Sequence, residues 1–443
     1  MNRWLSGLRE LRQYPSAIGG MALIAFLIGL SVYTVIVIPY SQALEQWRGG
    51  EQWQMHPVNA GPVWADRLLG GNKPETITVS SDDATVEERT FDGGRQLRIP
   101  LGFDFTYDDF PSEINLFLQS RGTERQGFVR LSWRTPDGDT IPLGTQRIAR
   151  DDRVSISQNR SLEGRLGQPP HIGLFAGADP GDNPEPVAGR YELVVDAMLF
   201  GDDPTLSAEL AVYGRVHGIA GTDHQRRDLM VALLWGTPVA LAFGLLAAVG
   251  TTVTTLVIAA AGVWFGGLVD ATIQRLTEVN IILPLLPILV MVGTLYSTSI
   301  WLMLGVVIAL GIFSAGIKMY RAMLLPIRQA PYIEAARAYG ASNTRIIMRY
   351  MIPRILPVLI PTFVTLIPTY VFLEASLAVL GLGDPVLPTW GKVLNDAQVQ
   401  SALYNGFYYW VVSPALLLML TGLGFAMLGF ALDRVFNPRL RTQ

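Results

Sequence analysis

The chain has 443 residues, of which 50% are hydrophobic and 16% are charged, with a formal net charge of −3. This composition is too apolar for an ordinary soluble protein of that length and indicates several membrane spans. The chain contains no cysteine. Disulfides, thiolate metal sites and cysteine nucleophiles are therefore excluded.

The charges are distributed unevenly along the chain. From Glu45 to Arg215 there are 27 acidic and 17 basic residues, whereas the rest of the chain has 10 acidic and 17 basic residues. An acidic block of soluble character therefore interrupts a basic, apolar chain. Basic residues concentrate at the cytoplasmic ends of membrane spans, so this excess does not predict a nucleic-acid partner.

The first candidate span is the uncharged stretch 17–40, which follows Arg3, Arg9 and Arg12. A signal peptide is the alternative, because Ser41-Gln42-Ala43 resembles a cleavage site. The apolar run exceeds the core of a signal peptide, which is about 7–15 residues long. We therefore predict an uncleaved membrane helix.

Five further spans are predicted after the acidic block. Residues 229–269 carry no charge, and Gly236-Thr237-Pro238 predicts a break there, because proline removes a helical hydrogen bond. We expect a polar turn at 296–299 between two spans in the uncharged run 279–317. The predicted elements are an interfacial helix at 229–235 and spans at about 239–261, within 279–317 (two spans), at 355–380 and at 408–432.

Six spans place both termini on the same side of the membrane. Three basic segments fall on that side: the N-terminal arginines, residues 318–354 with seven basic residues against Glu334, and a tail with Arg434, Arg439 and Arg441. The positive-inside rule identifies this side as the cytoplasm. The acidic block and the connection 381–405 are then expected outside.

The acidic block, residues 46–218, has short alternating apolar runs bounded by turn residues, such as Pro136-Asp137-Gly138. This pattern is typical of a β-sandwich. His56, His171 and His217 have no ligand-like spacing, so no metal site is predicted. Three roles stay open for the block: docking of a partner, substrate binding, and stabilisation of a complex.

The segment 331–353 predicts two short helices joined by a corner. Pro331 suits a first helical turn, and Gly340 suits a left-handed C-terminal cap. Ser342 can cap the next helix, and Pro353 either ends that helix or begins the fifth span. Small and basic side chains on this corner are suited to docking against another protein: Ala335, Ala336, Ala338, Arg337, Arg345 and Arg349.

The spacing of this segment resembles the EAA loop of bacterial ABC import permeases. Glu334-Ala335-Ala336, Gly340 and Pro353 match that pattern, while Tyr350 and Ile352 depart from its usual Ile and Leu. The resemblance implies that the loop 319–354 couples to an ATPase subunit. The residues expected to form the coupling site are Glu334, Ala335, Ala336, Arg337, Gly340, Ser342, Arg345, Arg349 and Pro353.

Further motifs narrow the resemblance to the C-type subunit of the dipeptide/oligopeptide permease family. The stretch 221–228 resembles that family's Gly-Thr-Asp-x-x-Gly-Arg-Asp, with Arg226 in place of the second glycine. Three more matches are Glu374-Ala-Ser-Leu with Leu380-Gly-Leu-Gly, Pro388-Thr-Trp-Gly, and Asn437-Pro-Arg-Leu-Arg. The resemblance extends over 221–441 and does not cover the acidic block.

This resemblance implies an α-helical polytopic membrane protein with six transmembrane helices in the type I ABC importer permease fold and an inserted extracytoplasmic β-sandwich-like domain. Residues 1–45 are expected to form the cytoplasmic N-terminus and first helix, 46–218 the insert, and 219–443 a five-helix core. The implied partners are a homologous B-type permease, two ATP-binding subunits, an extracytoplasmic solute-binding protein and the lipid bilayer of the inner membrane.

The chain has no Gly-x4-Gly-Lys-Ser/Thr loop. We therefore expect no catalytic residue and no cofactor here, with ATP and Mg²⁺ bound by the partner ATPases. Residues expected on the translocation path or at the permease–permease contact are Glu278, Asn280, Glu374, Ser376 and Trp390. A carboxylate inside a span costs roughly 2.5–3.5 kcal/mol on insertion scales, so Glu374 is expected either to be hydrogen-bonded or to face substrate.

Two other classes of protein remain as alternatives. An ion-driven secondary transporter would use intramembrane carboxylates such as Glu278 and Glu374, but the sequence has no internal repeat. A membrane-anchored sensing or binding protein would not need six spans and a coupling loop. The substrate stays open: a dipeptide, an oligopeptide, a nickel chelate or a sugar.

Overall fold

The computed structural model describes residues 14–91, 93–122, 125–148, 150–177, 184–201 and 204–436. The chain forms two compact units, one comprising Met1–Arg48 with Val231–Gln443 and the other Gly49–Met230. Arg3, Arg9, Arg12 and the tail motif from Asn437 to Arg441 lie outside the described residues. The second unit extends beyond the expected block 46–218. Thr222 and Asp223 form backbone hydrogen bonds with Ala60 and Asn59, respectively.

The helices and strands are numbered in chain order. The helices are α1 (Pro15–Val37), α2 (Tyr40–Arg48), α3 (Val63–Leu68), α4 (Arg160–Leu166), α5 (Pro170–Gly173), α6 (Leu229–Phe265), α7 (Gly267–Ile282), α8 (Leu285–Leu295), α9 (Ile300–Gly311), α10 (Gly316–Arg328), α11 (Pro331–Ala338), α12 (Asn343–Ile346), α13 (Ile352–Leu377), α14 (Trp390–Val399) and α15 (Tyr409–Phe436). The strands are β1 (Ile77–Ser80), β2 (Glu87–Phe91), β3 (Gly94–Phe105), β4 (Glu113–Arg121), β5 (Arg125–Arg134), β6 (Thr140–Ile148), β7 (Asp151–Ser155), β8 (Gly189–Phe200) and β9 (Thr205–Tyr213).

Four helical stretches are long and apolar enough to cross a membrane: Pro15–Val37, Leu229–Phe265, Asn343–Leu382 and Tyr409–Val435. Two bent pairs meet the same criterion when each is taken as one span. These are α7 with α8, bent by 77°, and α9 with α10, bent by 46°. The described residues therefore contain between four and six candidate spans. The chain is an α-helical polytopic membrane protein.

The break predicted at Pro238 is wrong, because α6 is continuous from Leu229 to Phe265 with Pro238 inside it. A proline at this position leaves the carbonyl of Leu234 without its helical donor. The Thr34 hydroxyl of α1, which donates to Leu30 O at 2.8 Å, also lies 3.4 Å from that carbonyl oxygen. A hydroxyl of another helix thus lies beside the carbonyl that the proline leaves free, and a separate interfacial helix is not formed.

The turn predicted at 296–299 lies between α8 and α9, but the outer boundaries predicted for the run 279–317 are wrong. Helix α7 begins at Gly267 and carries Asp270, Arg275 and Glu278, and α10 continues to Arg328. The charged side chains are accommodated because they pair with each other and with α10. Pro284 follows the end of α7 and caps α8, which explains the bend between the two helices.

Helix α13 begins where the sequence left two possibilities, since Pro353 lies in its first turn rather than ending the preceding helix. A π-helical turn at Ile347–Met351 precedes α13, and another at Ala378–Leu382 follows it. Gly381 in the second turn has φ +84°, and glycine adopts this conformation without the steric cost of a side chain. The second turn redirects the chain toward α14.

The unit Gly49–Met230 contains two antiparallel sheets. One has the strand order β1-β9-β4-β7 and the other β2-β3-β8-β5-β6. Both contribute to a single apolar core, with Leu116 and Leu210 from the first sheet and Leu101 and Leu193 from the second. An aromatic cluster lies within this core: Trp133 and Tyr191 pack against Phe175 with ring centroids 5.5 and 4.7 Å apart.

Candidate functional site

The segment expected to couple to an ATPase folds as two short helices and a corner. Helix α11 starts at Pro331 and ends at Ala338, and Gly340 follows with φ +75°. The N–H of Ala341 donates to Ala336 O at 3.0 Å, and the N–H of Gly340 donates to Arg337 O at 2.9 Å. These two hydrogen bonds form a Schellman motif with Gly340 as the left-handed residue.

The second helix of the corner is capped as its sequence predicts. The Ser342 hydroxyl accepts a hydrogen bond from the N–H of Arg345 at 3.3 Å. Such an N-cap satisfies one of the free donors at the start of a helix and stabilises it by about 1 kcal/mol. From α12 the chain continues through the π-helical turn into α13, so the corner connects directly to a long apolar helix.

One side of the corner is buried within the unit that comprises Met1–Arg48 and Val231–Gln443. Ile333, Ala336, Ile346 and Met351 are buried in an apolar cluster with Trp264 and Leu324. Ala336 therefore faces inward and is not part of the accessible surface. The exposed side carries Glu334, Ala335, Ala338, Ser342, Arg345 and Arg349.

Arg337 has a partner within its own chain. Its guanidinium carbon lies 4.3 Å from the centroid of the Trp264 ring at the end of α6. A cation over an indole face is attracted by the ring's electron density, by about 0.5–1 kcal/mol at exposed sites. Arg337 thus links α11 to α6, a role that the sequence did not predict.

A second link beside the corner was also missed. Asp270 of α7 and Arg321 of α10 form a bidentate ion pair, with Arg321 Nε 2.9 Å from Oδ1 and Nη2 2.7 Å from Oδ2. Bidentate guanidinium–carboxylate pairs fix orientation as well as distance. The two residues are 51 positions apart, so no local pattern signals the pair.

Glu374 and Trp390, two of the candidate path residues, are buried within this chain. Glu374 is 6% exposed, and the Thr389 hydroxyl is its hydrogen-bonding neighbour. Trp390 is 1% exposed, and its indole N–H donates to Leu233 O at 2.9 Å. A side chain at Gly236 would collide with that indole ring. In this structure Trp390 therefore joins α14 to α6 rather than lining an open surface.

The other three candidate path residues do not cluster with Glu374. The Asn280 amide donates to Leu310 O at 2.8 Å, at the edge of a cavity of about 290 Å³ that Tyr370 also lines. Glu278 lies on an exposed surface, 3.3 Å from Arg275 and 3.9 Å from Lys318. Ser376 is exposed, and its hydroxyl donates to Phe372 O in the preceding turn at 2.7 Å.

The motif 221–228 forms a tight turn in the unit Gly49–Met230. Asp223 Oδ1 accepts from the N–H of Arg227 at 2.9 Å, and Asp223 Oδ2 accepts from Arg227 Nε at 2.5 Å. Arg226 occupies the position where the family pattern has glycine, and its φ is +65°. This left-handed conformation explains the usual glycine, since other residues adopt it at a cost of roughly 1–2 kcal/mol.

The Arg226 side chain makes contacts that a glycine could not make. Its Nη1 donates to His56 O at 2.6 Å, its Nη2 is paired with Glu113 of β4, and its guanidinium lies 4.4 Å from the Tyr213 ring centroid. All of these groups belong to the same unit. The substitution thus fastens the turn before α6 to the β-sheets.

Similarity to known proteins identifies the family of this chain. Residues 253–442 match the model of the "Binding-protein-dependent transport system inner membrane component" family. The glutathione transport system permease protein GsiD of Pectobacterium atrosepticum is 31% identical over 226 residues, covering 50% of this chain and 73% of that protein. The chain belongs to this family.

Other relatives carry similar names. The glutathione transport system permease protein of Escherichia coli O6:K15:H31 is 32% identical over 234 residues, covering 50% of this chain and 72% of that protein. The dipeptide transport system permease protein DppC of Alkalihalophilus pseudofirmus is 27% identical over 227 residues, covering 50% and 72%. The chain is thus an ABC importer permease subunit, and the matched range includes the corner but not the β-rich unit.

Proposed function

We propose that this chain forms half of the translocation path of an ATP-driven importer for peptides. A homologous permease supplies the other half, two ATPase subunits supply the energy, and an external solute-binding protein delivers the substrate. The observation that carries the proposal is the capped two-helix corner 331–346, which presents acidic, small and basic side chains on a rigid support.

The support beneath the corner explains how a partner's movement would be transmitted. Arg337 on Trp264 connects α11 to α6, and the Asp270–Arg321 pair connects α7 to α10. Closure of an ATPase dimer against the exposed side of the corner would therefore move several helices together. This is an alternating-access mechanism, in which a partner's closure biases a two-state element.

The proposed topology has six spans, with each bent pair crossing once and both termini in the cytoplasm. The β-rich unit and the connection between α13 and α15 then lie outside. The seven basic residues of 318–354, against a single acidic residue, support this orientation. With its net charge of −10 over residues 45–215, the outer unit is suited to steering a basic face of the binding protein.

Glu374 is proposed as a structural hydrogen-bonding group rather than a substrate contact. Its carboxyl is buried beside Thr389 at the junction of α13 and α14. In this role Glu374→Gln would retain both transport and substrate preference. A change of substrate preference would instead assign the carboxyl to the path.

The proposal of a peptide substrate is supported by the relatives, whose names specify glutathione and dipeptides. Both are small molecules with peptide bonds. Purified complex in proteoliposomes should accumulate a labelled dipeptide or glutathione only with ATP and the binding protein. Uptake driven by an ion gradient without ATP would contradict the proposal.

Topology is tested separately. Cysteine is introduced at two of the most exposed positions of the unit that comprises Met1–Arg48 and Val231–Gln443. Tyr339, beside the corner, is 92% exposed, and Tyr404, between α14 and α15, is 93% exposed. In intact cells an impermeant thiol reagent should label Tyr404→Cys and not Tyr339→Cys, and inverted vesicles should reverse this. The same side for both positions would contradict the six-span topology.

A further inference from the structure

The β-rich unit carries a small apolar patch that no described element of the unit covers. Trp64, Leu68 and Leu69, on and just after α3, are 56%, 79% and 88% exposed, and Ile219 beside them is 68% exposed. Trp64, Leu68 and Ile219 border a groove of about 460 Å³ that Arg67 also lines. Four large exposed apolar side chains in one place are unusual in an acidic unit and mark an interaction surface. We call these four residues the apolar patch.

The patch is held in a fixed shape. The Trp64 indole N–H donates to Ile219 O at 2.8 Å, which joins the two chain segments that form the patch. After α3, Asp66 closes the turn: its carbonyl accepts from the N–H groups of Leu69 and Gly71, and its carboxylate accepts from the N–H of Lys73 at 3.0 Å. Leu68 and Leu69 are thus presented by an ordered turn.

The patch is built on the chain segments closest in sequence to the membrane helices. The N–H of Val63 donates to Gly218 O at 3.0 Å, and the N–H of Thr222 donates to Ala60 O at 2.9 Å. These segments follow α2 and precede α6, respectively. Along the chain, the first segment is thus connected through α2 to the candidate span α1, and the second leads directly into the candidate span α6.

The size and composition of the patch decide between a protein and a lipid partner. A stable protein interface takes roughly 20–30 residues from each side. The apolar patch has four, and Arg67, whose guanidinium pairs with Glu75 at 2.8 Å, lines the groove beside them. Tryptophan and aliphatic residues beside an arginine are a composition found at the level of lipid headgroups.

We propose that the apolar patch inserts into the headgroup region of the bilayer and anchors the β-rich unit against the membrane surface. The inserted groups are the indole of Trp64 and the side chains of Leu68, Leu69 and Ile219. The anchor limits the motion of the β-rich unit relative to the membrane surface.

The absence of cysteine allows a site-specific test on the assembled complex in nanodiscs. Leu69→Cys would carry an environment-sensitive NBD fluorophore, with Met198→Cys on β8 as the control, since Met198 is also an exposed apolar residue of this unit. Partner subunits without reactive cysteine are used. Fluorescence is compared in plain lipid, in nitroxide-labelled phosphatidylcholine, and with aqueous iodide.

The expected result at position 69 is loss of fluorescence with nitroxide lipid and protection from iodide, with the reverse at position 198. Adding Leu68→Ser and Trp64→Ser should reduce the nitroxide effect at position 69, provided that the β-sheets keep their hydrogen-exchange protection. Iodide quenching without nitroxide quenching would show a solvated patch and overturn the proposal. Protection from both quenchers would show a protein partner and overturn it, as would equal nitroxide quenching at both positions.

Discussion

At the scale of single residues, Arg226 shows how a departure from a family pattern can be interpreted physically. The sequence identified the position but gave no reason for the change. In the structure, the arginine has an unfavourable left-handed φ of +65°. Its side chain makes favourable contacts to His56, Glu113 and Tyr213. Those contacts join residues up to 170 positions apart, so local sequence could not have predicted them.

Arg226→Gly is expected to loosen the β-rich unit although it restores the family residue. It relieves roughly 1–2 kcal/mol of backbone strain. It also removes two charge-assisted hydrogen bonds, each of about 1.5–3 kcal/mol, and deprives the largely buried Glu113 of one partner. Hydrogen exchange of β4 and β9 in the purified complex should become faster, and Arg226→Lys should give an intermediate rate. Unchanged or slower exchange in the glycine variant would contradict this role.

The paired histidines give the β-rich unit a defined pH dependence. The sequence treated His56 and His217 as separate, yet their ring centroids are 4.3 Å apart. Burial, and then the neighbouring His217, lower the pKa of His56 from 6.5 to about 4. Burial also lowers the pKa of His217, while burial raises the pKa of Asp228.

Stability of this unit should therefore fall as the pH falls from 6.5 toward 4. In that window the unfolded state binds more protons at His56 and His217 than the folded state does, so acid favours unfolding. The raised pKa of Asp228 acts in the opposite direction and reduces the loss. Hydrogen exchange of wild type and His56→Phe, compared at each pH, should converge near neutrality and diverge in acid. An identical pH dependence in the two proteins would exclude His56 as the cause.

At the scale of elements, the two-helix corner was predictable because its signals are local. Pro331, Gly340 and Ser342 each determine the conformation of their own few residues, and the structure places each in its expected role. Helix α6 was not predictable in this way. The carbonyl that Pro238 leaves free lies 3.4 Å from the Thr34 hydroxyl of α1, a contact between residues 200 positions apart that no local pattern signals.

Gly340→Val is expected to weaken coupling without unfolding the spans. A side chain at this position meets no neighbouring atom within 4 Å, so the cost is backbone strain of roughly 1–2 kcal/mol rather than a clash. Gly340→Asn is the matched control, because asparagine tolerates the left-handed region. Substrate-stimulated ATPase activity of the complex should fall with valine and be largely retained with asparagine. Equal activities in the two variants would show that the Schellman motif is not needed.

At the scale of the whole molecule, the sequence predicted the permease family but not the strand pairing or the role of the β-rich unit. The motifs of 221–441 identified the permease, and the family match over 253–442 agrees with them. The two sheets of the β-rich unit depend on pairings between distant segments, such as β4 with β9. Their partners, and the role of the apolar patch, are therefore not encoded in any short motif.

The central claim is that the exposed side of the corner receives an ATPase subunit. Tyr339→Cys, in a chain that has no other cysteine, is labelled with a thiol-attached benzophenone, which should form a photo-cross-link to the ATP-binding subunit in the assembled importer with a yield that depends on ATP. Tyr404→Cys, which is equally exposed, should give no such product. Absence of the cross-link at position 339, or its appearance at position 404, would contradict the account.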